Sequence, residues 1–153
     1  MSKKSHILIS FILFFVSVNV SAQMHNPVTW NYTAKKIADK TYEVHLTASV
    51  KNPWHIYSQS TPEGGPIPTK IIFKKNPLVI PTGKAKEKGK LLQKHEEVFD
   101  VDVKYFDGNV DFVQVVKLKS NVKTNVSGTI EFMACNDEQC LPPTTVPFTV
   151  TLQ

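Results

Sequence analysis

Between Thr41 and Val50 the sequence alternates without a lapse, with Tyr42, Val44, Leu46, Ala48 and Val50 on one side and Glu43, His45, Thr47 and Ser49 on the other. Successive side chains of an extended chain point in opposite directions, so a run like this is a strand with one buried face and one wet face. Thr69 to Phe73 and Leu78 to Ile80 are short apolar runs bounded by prolines and a glycine, as in buried or edge strands. Val101, Val103 and Tyr105 alternate up to Asp107-Gly108-Asn109, a turn signature that predicts a hairpin with Val110 to Leu118 as its return strand. Thr129 to Cys135 and Thr145 to Leu152 form the last predicted pair, with Val146, Phe148, Val150 and Leu152 on one face. No long stretch beyond residue 22 carries the 3.6-residue period of a helix. Roughly seven or eight short strands predict an all-β fold, a sandwich of immunoglobulin-like general architecture. The 10 prolines leave the strand order open.

The N-terminus has the pattern of an export signal. Lys3 and Lys4 precede an apolar run from Ile7 to Val18, and Val20-Ser21-Ala22 supplies the small residues of a cleavage site. The run is short for a membrane span, which needs about 20 apolar residues, and no later segment approaches that length. A retained anchor is the alternative to cleavage after Ala22. The expected arrangement is a signal peptide at 1–22 and one domain at 23–153, exported to the periplasm, where disulfides persist. No stable membrane insertion is expected after cleavage. No cysteine stands directly after the site, so a lipoprotein is not expected. The formal charge of +5 drops by the two units of Lys3 and Lys4 to +3. The remaining positive charge clusters at Lys84, Lys86, Lys88, Lys90 and Lys94 around Gly83 and Gly89. It is neither interleaved with aromatics nor laid along a helix, so nucleic acid is not an expected partner. A solvated loop is expected there, with a docking patch for an acidic partner as the alternative.

Both cysteines lie in Met133-Ala134-Cys135-Asn136-Asp137-Glu138-Gln139-Cys140-Leu141-Pro142-Pro143. Thiols this close bridge only if the backbone reverses between them, since a disulfide needs Cα atoms within roughly 7 Å. Asn136 and Asp137 are turn formers. Parity with Ile130, Phe132 and Ala134 puts Cys135 on the outer face or rim, and Pro142-Pro143 marks an edge or loop. A bridge here closes a short loop and removes little chain entropy. Exchange at such a pair runs through the thiolate, which Asp137 and Glu138 disfavour by their charge, and no helix terminus or fixed cation is visible to oppose them. Slow chemistry with small thiols follows, faster when a partner docks. Glu96-Glu97 is not a carboxylate dyad, because neighbouring strand residues point apart, and a solvated loop is expected there. A soft-metal site drawn from Cys135, Cys140, His45, His55, His95 and Met133 is a weaker reading, because the histidines are scattered along the chain. No cofactor is expected.

Cys135 to Cys140, then Leu141-Pro142-Pro143 and Thr145-Val146-Pro147, resembles the active-site hairpin of the N-terminal periplasmic domain of the thiol:disulfide interchange protein DsbD. Trp54-His55-Ile56-Tyr57 resembles that family's early aromatic segment, and Glu96-Glu97-Val98-Phe99 followed by Tyr105 its acidic and aromatic cap loop. The resemblance implies an immunoglobulin-like sandwich with a redox cysteine pair on a hairpin near one edge. It implies that Cys140 forms mixed disulfides and Cys135 resolves them, with Tyr57 and His55 flanking the site. Phe99, or Val98 if the alignment shifts by one, becomes the cap, and Pro142 follows the attacking cysteine.

The resemblance further implies a relay of reducing equivalents between thioredoxin-like periplasmic donor and acceptor proteins, among them disulfide isomerases and cytochrome c maturation factors. Two features depart from the family pattern. The cysteines are one residue closer than in the best-known members, and the best-aligned cap position holds Val98. With no membrane channel after Gln153, the electrons are expected from a separate protein, such as a membrane thiol transporter. A non-catalytic exported sandwich with a structural disulfide is the competing function.

Overall fold

The computed structural model describes residues 26–97 and 99–153. The expected signal peptide at 1–22, its cleavage site and Val98 lie outside the described residues. Among the described residues, eleven strands and no helix follow in order: β1 (Val28–Ala38), β2 (Thr41–Val50), β3 (His55–Tyr57), β4 (Lys70–Phe73), β5 (Val79–Gly89), β6 (Leu92–Glu96), β7 (Val101–Phe106), β8 (Asn109–Leu118), β9 (Thr124–Phe132), β10 (Ala134–Cys135) and β11 (Thr144–Leu152). The extra strands beyond the expected number are mostly short pieces such as β3 and β10, too brief to show a period.

Three sheets result, ordered β1-β2-β8-β5, β11-β9-β4 and β10-β3-β7-β6. The alternation read in β2 is the observed burial pattern, with Tyr42, Val44, Leu46, Ala48 and Val50 all buried. Val110, Phe112, Val116 and Leu118 of β8 join them, and Val126, Ile130, Phe132, Phe148, Val150 and Leu152 approach from the second sheet. Trp30 of β1 spans the layers, its ring centroid 5.9 Å from Phe112 and 5.4 Å from Phe132. The fold is an all-β, immunoglobulin-like sandwich, as the alternation predicts.

The predicted hairpin at Asp107-Gly108-Asn109 does not form. β7 pairs with β3 and β6, whereas β8 pairs with β2 and β5, so the turn carries the chain between sheets. A turn signature fixes a reversal of direction but not the bonding partner. Both edges of β8 are already taken.

The lysine cluster is likewise not a loop. Lys84, Lys86 and Lys88 lie in β5, which extends the predicted Leu78–Ile80 run and forms the edge of the first sheet. Lys94 lies in β6. Outward lysines at alternate positions suit an unpaired edge.

Gly128 of β9 sits where the strands leave no room for a side chain. A Cβ there would collide with the Ile72 carbonyl oxygen and come within 2.7 Å of the Phe148 ring. Overpacking of a filled core costs about 1–3 kcal/mol. Gly128→Ala is therefore expected to lower unfolding stability by about 2 kcal/mol or more, read as a reduced urea midpoint with an unchanged denaturant slope.

Candidate functional site

β9 ends at Phe132, where its ladder with β11 reaches Thr144. Met133 breaks the strand, and the chain resumes as β10 against β3 in another sheet, with Ala134 opposite Ile56 and Cys135 opposite His55. Parity carried from β9 sets Cys135 on the face opposite Ala134, as expected, but that face is covered and not an outer rim. Cys135 is buried to 1% exposure, in a small cluster with Tyr57 and Val103. Val101, Tyr105 and Met133 pack against that cluster. Cys140 lies on the returning limb and is exposed.

The hairpin tip is built by its own sequence. Asn136 Oδ1 accepts from the backbone N–H groups of Glu138 (2.9 Å) and Gln139 (2.8 Å), so one side chain closes the turn. Asn136 N donates to Gln139 O (2.9 Å) and Leu141 N donates to Ala134 O (2.8 Å). Cys135 and Cys140 oppose each other between these bonds, at the kind of position where antiparallel strands approach most closely. Their Cα atoms are 4.0 Å apart and the sulfurs form a disulfide. The expected turn chemistry holds for Asn136, but through its side chain. Among the described residues, positive φ outside glycine occurs only at Lys40 and Asp100. Pro142 and Pro143 are exposed between the hairpin and β11, and the Leu141–Pro142 bond is trans.

The third sheet has two covered faces. Ile56, Phe106 and Ala134 point into the main core. His55 and Tyr57, one position away, share the opposite face with Cys135, and Tyr105 stands across from Tyr57. His55 Nε2 is 3.1 Å from the Tyr57 hydroxyl. The His55 ring meets Tyr57 edge-on at 5.2 Å and lies 4.9 Å from Tyr105. Lys94 sits 5.6 Å over the Tyr105 ring and pairs with Glu96 at 3.1 Å. The sequence placed Lys94 in the solvated cluster and Glu96 in a loop. The two-residue period of Leu92, Lys94 and Glu96 was the available clue that they share a strand face.

Of the residues singled out in the sequence, Cys135, Cys140, His55 and Tyr57 come together. Phe99 lies on the turn after β6, closed by Phe99 N donating to Glu96 O (3.1 Å), and it is 39% exposed. It packs towards Gly65. The other histidines sit elsewhere. His45, on the solvent side of β2 as parity requires, bonds Asp111 at 2.7 Å, and His95 bonds Asp102 at 2.9 Å. Among the described residues, no three His, Cys, Asp or Glu side chains are grouped to hold a metal ion.

Burial, reinforced by the Lys94 cation, lowers the His55 pKa to about 4 against the opposing pull of Glu96, Asp137 and Asp107. Burial and the Glu96 charge push the Tyr57 hydroxyl well above the usual phenol range. Both groups are neutral at pH 7, so Cys135 has an uncharged back wall.

The fold and site together define a β-sandwich with a bridged cysteine pair on a hairpin, one cysteine exposed and one buried. The chain belongs to the family described as "Thiol:disulfide interchange protein DsbD, N-terminal", which matches residues 22–152. Among solved structures it is similar to the N-terminal periplasmic domain of ScsB from Proteus mirabilis, with a TM-score of 0.50 at 16% identity. That match covers 82% of this chain and 44% of the other, so this chain spans less than half its length. It is also similar to the Neisseria meningitidis DsbD N-terminal domain in the reduced form (TM-score 0.41, 14% identity, 80% and 84% covered). A further similarity is to the complex between the DsbD and PilB N-terminal domains of the same organism (0.46, 12%, 86% and 88%). No curated protein matches the sequence significantly.

The His55 pKa has a direct consequence for stability. The unfolded histidine binds its proton near pH 6.5 and the folded one only near pH 4, so acid favours unfolding between those values. Stability is complete above pH 6.5 and falls as the pH drops towards 4, by roughly 3 kcal/mol from this group. Urea titrations across that range are expected to show the loss in the wild type, and a smaller loss in His55→Gln.

Proposed function

We propose that this domain is a dithiol relay of the periplasm, passing reducing equivalents between thioredoxin-like donor and acceptor proteins. The asymmetry of the pair carries the reading. Cys140 is exposed and Cys135 is 1% exposed, so an incoming sulfur meets Cys140 first. In the reduced domain the Cys140 thiolate attacks a partner disulfide, forming a mixed disulfide and expelling one partner thiolate. Cys135 then attacks Cys140, re-forms the internal bond and releases the second partner thiolate. Two electrons have passed to the partner. Run backwards, the same steps load the domain from a donor.

Other features support this assignment. The bridge spans a sequence separation of only 5, and closing so short a loop contributes on the order of 2 kcal/mol. The hairpin retains its own hydrogen bonds and its seat on β3, so opening the bridge leaves the domain folded. Tyr57 and His55 form the buried wall behind Cys135, and we assign partner docking to exposed Pro142 and the Phe99 turn. We assign Phe99, with Val98 beside it, to shielding the sulfurs between encounters. Periplasmic placement is supported by the signal-like residues 1–22 and by the family. The electron source we favour is a separate membrane thiol transporter acting through a thioredoxin-like protein.

Trapping tests the assignment. Cys135→Ala is expected to accumulate mixed disulfides through Cys140 with thioredoxin-like partners, and Cys140→Ala is not. The native pair is expected to titrate near about −200 to −270 mV, whereas a structural bridge lies below about −300 mV. A pair that resists reduction in the folded protein would mean a disulfide that only pins the hairpin.

A further inference from the structure

Opening a disulfide to two thiols takes up two electrons and two protons, one proton for each sulfur. Cys140 is exposed and exchanges its proton with water. Cys135 is sealed at 1% exposure, so its proton must pass through a protein group.

The groups facing it can be taken strand by strand. On its own hairpin are Met133, which carries no proton, and Asp137 at the tip. On β7 are Val101, Val103, Tyr105 and, at its end, Asp107. On β6, Lys94 and Glu96 are engaged with each other at 3.1 Å. On β3 are Tyr57, whose phenol holds its proton firmly, and His55.

His55 stands apart from the others. It is directly opposite Cys135 in the β10–β3 ladder, a placement that sets the two Cβ atoms about 5 Å apart. It is 4% exposed. Its Nε2 is engaged by the Tyr57 hydroxyl at 3.1 Å, which leaves Nδ1 as the nitrogen able to serve the sulfur. The ring is neutral at pH 7, so one nitrogen always has a free electron pair. A Tyr57 hydroxyl that can either donate to Nε2 or accept from it accommodates both tautomers.

We propose that His55 is the proton relay of the buried cysteine, a role that rests on the exchange reading of the pair. As Cys135 attacks Cys140 in the mixed disulfide, its S–H bond breaks and the proton passes to the imidazole. The Cys135–Cys140 bond forms, the bond from Cys140 to the partner sulfur breaks, and the partner leaves as a thiolate. The ring then passes the proton to solvent or to the departing sulfur. In the loading direction a donor thiolate attacks Cys140, and the expelled Cys135 thiolate takes its proton from the ring, which takes one from solvent in return and ends neutral.

The test follows the reduced domain reacting with 5,5′-dithiobis(2-nitrobenzoate) by stopped flow. The first thionitrobenzoate released reports attack by Cys140. The second reports resolution by Cys135, and Cys135→Ala removes it. At pH 7, His55→Gln is expected to slow the second release by roughly ten-fold or more and leave the first within about two-fold. Between about pH 5 and 8 the variant's second release should become first-order in hydroxide, where the wild type shows a shallower profile. The wild type should also show a solvent deuterium isotope effect on the second release, a measurement that stands even if the variant folds poorly. An unchanged second release, an equal slowing of both, or the absence of the isotope effect overturns the relay and leaves the exchange reading in place. A reduced, folded wild type that yields no first release removes the exchange reading, and the relay with it.

Discussion

Three consecutive residues of β3 are buried, at 4% for His55 and 0% for Ile56 and Tyr57. A strand manages this only when both its faces are covered, and the cysteine site depends on that condition. Ile56 anchors one face in the main core together with Ala134 and Phe106, each large apolar side chain contributing roughly 1.5–3 kcal/mol by its burial. Once that side is fixed, the pleat sends His55, Tyr57 and Cys135 to the other. The two-residue β10 has little hold of its own, so the core of the sandwich sets the position of the buried sulfur.

The same arrangement governs the electrostatics. An uncharged imidazole and a protonated phenol stand behind the sulfur, while Asp137 and Glu138 are exposed at the hairpin tip. Lys94 is drawn to Glu96 and the Tyr105 ring. The surroundings therefore give little help to an unpartnered thiolate. In the proposed relay, selectivity then comes from the partner that docks, because its contacts supply what the site lacks.

Much of this was legible in the sequence wherever local pattern decides the outcome. The β2 alternation, the pairing of the last two long strands and the turn built by Asn136 are matters of neighbouring residues, and they appear as read. What escaped was decided by distant partners. Cys135 is buried because Met133 ends one ladder and β3 begins another, and nothing within the segment announces the change. Asp107-Gly108 signalled a reversal correctly, yet β8 was already bonded on both edges. The charge of the lysines masks the strand they belong to, in which Ala85 and Glu87 between them are partly buried at a two-residue rhythm.

The outer edge of β5 has a break of its own. The register with β8 shifts between Thr82 and Lys86, where Gly83 takes a φ of 69°. Gln114, only 2% exposed, fills the gap by donating from Nε2 to the Thr82 carbonyl (2.9 Å) and the Gly83 carbonyl (3.4 Å). Acceptors freed by the break in the β5–β8 ladder are thus satisfied internally, and the lysines on either side repel a second copy. The result is an edge poorly suited to templating fibrils or open-ended stacks.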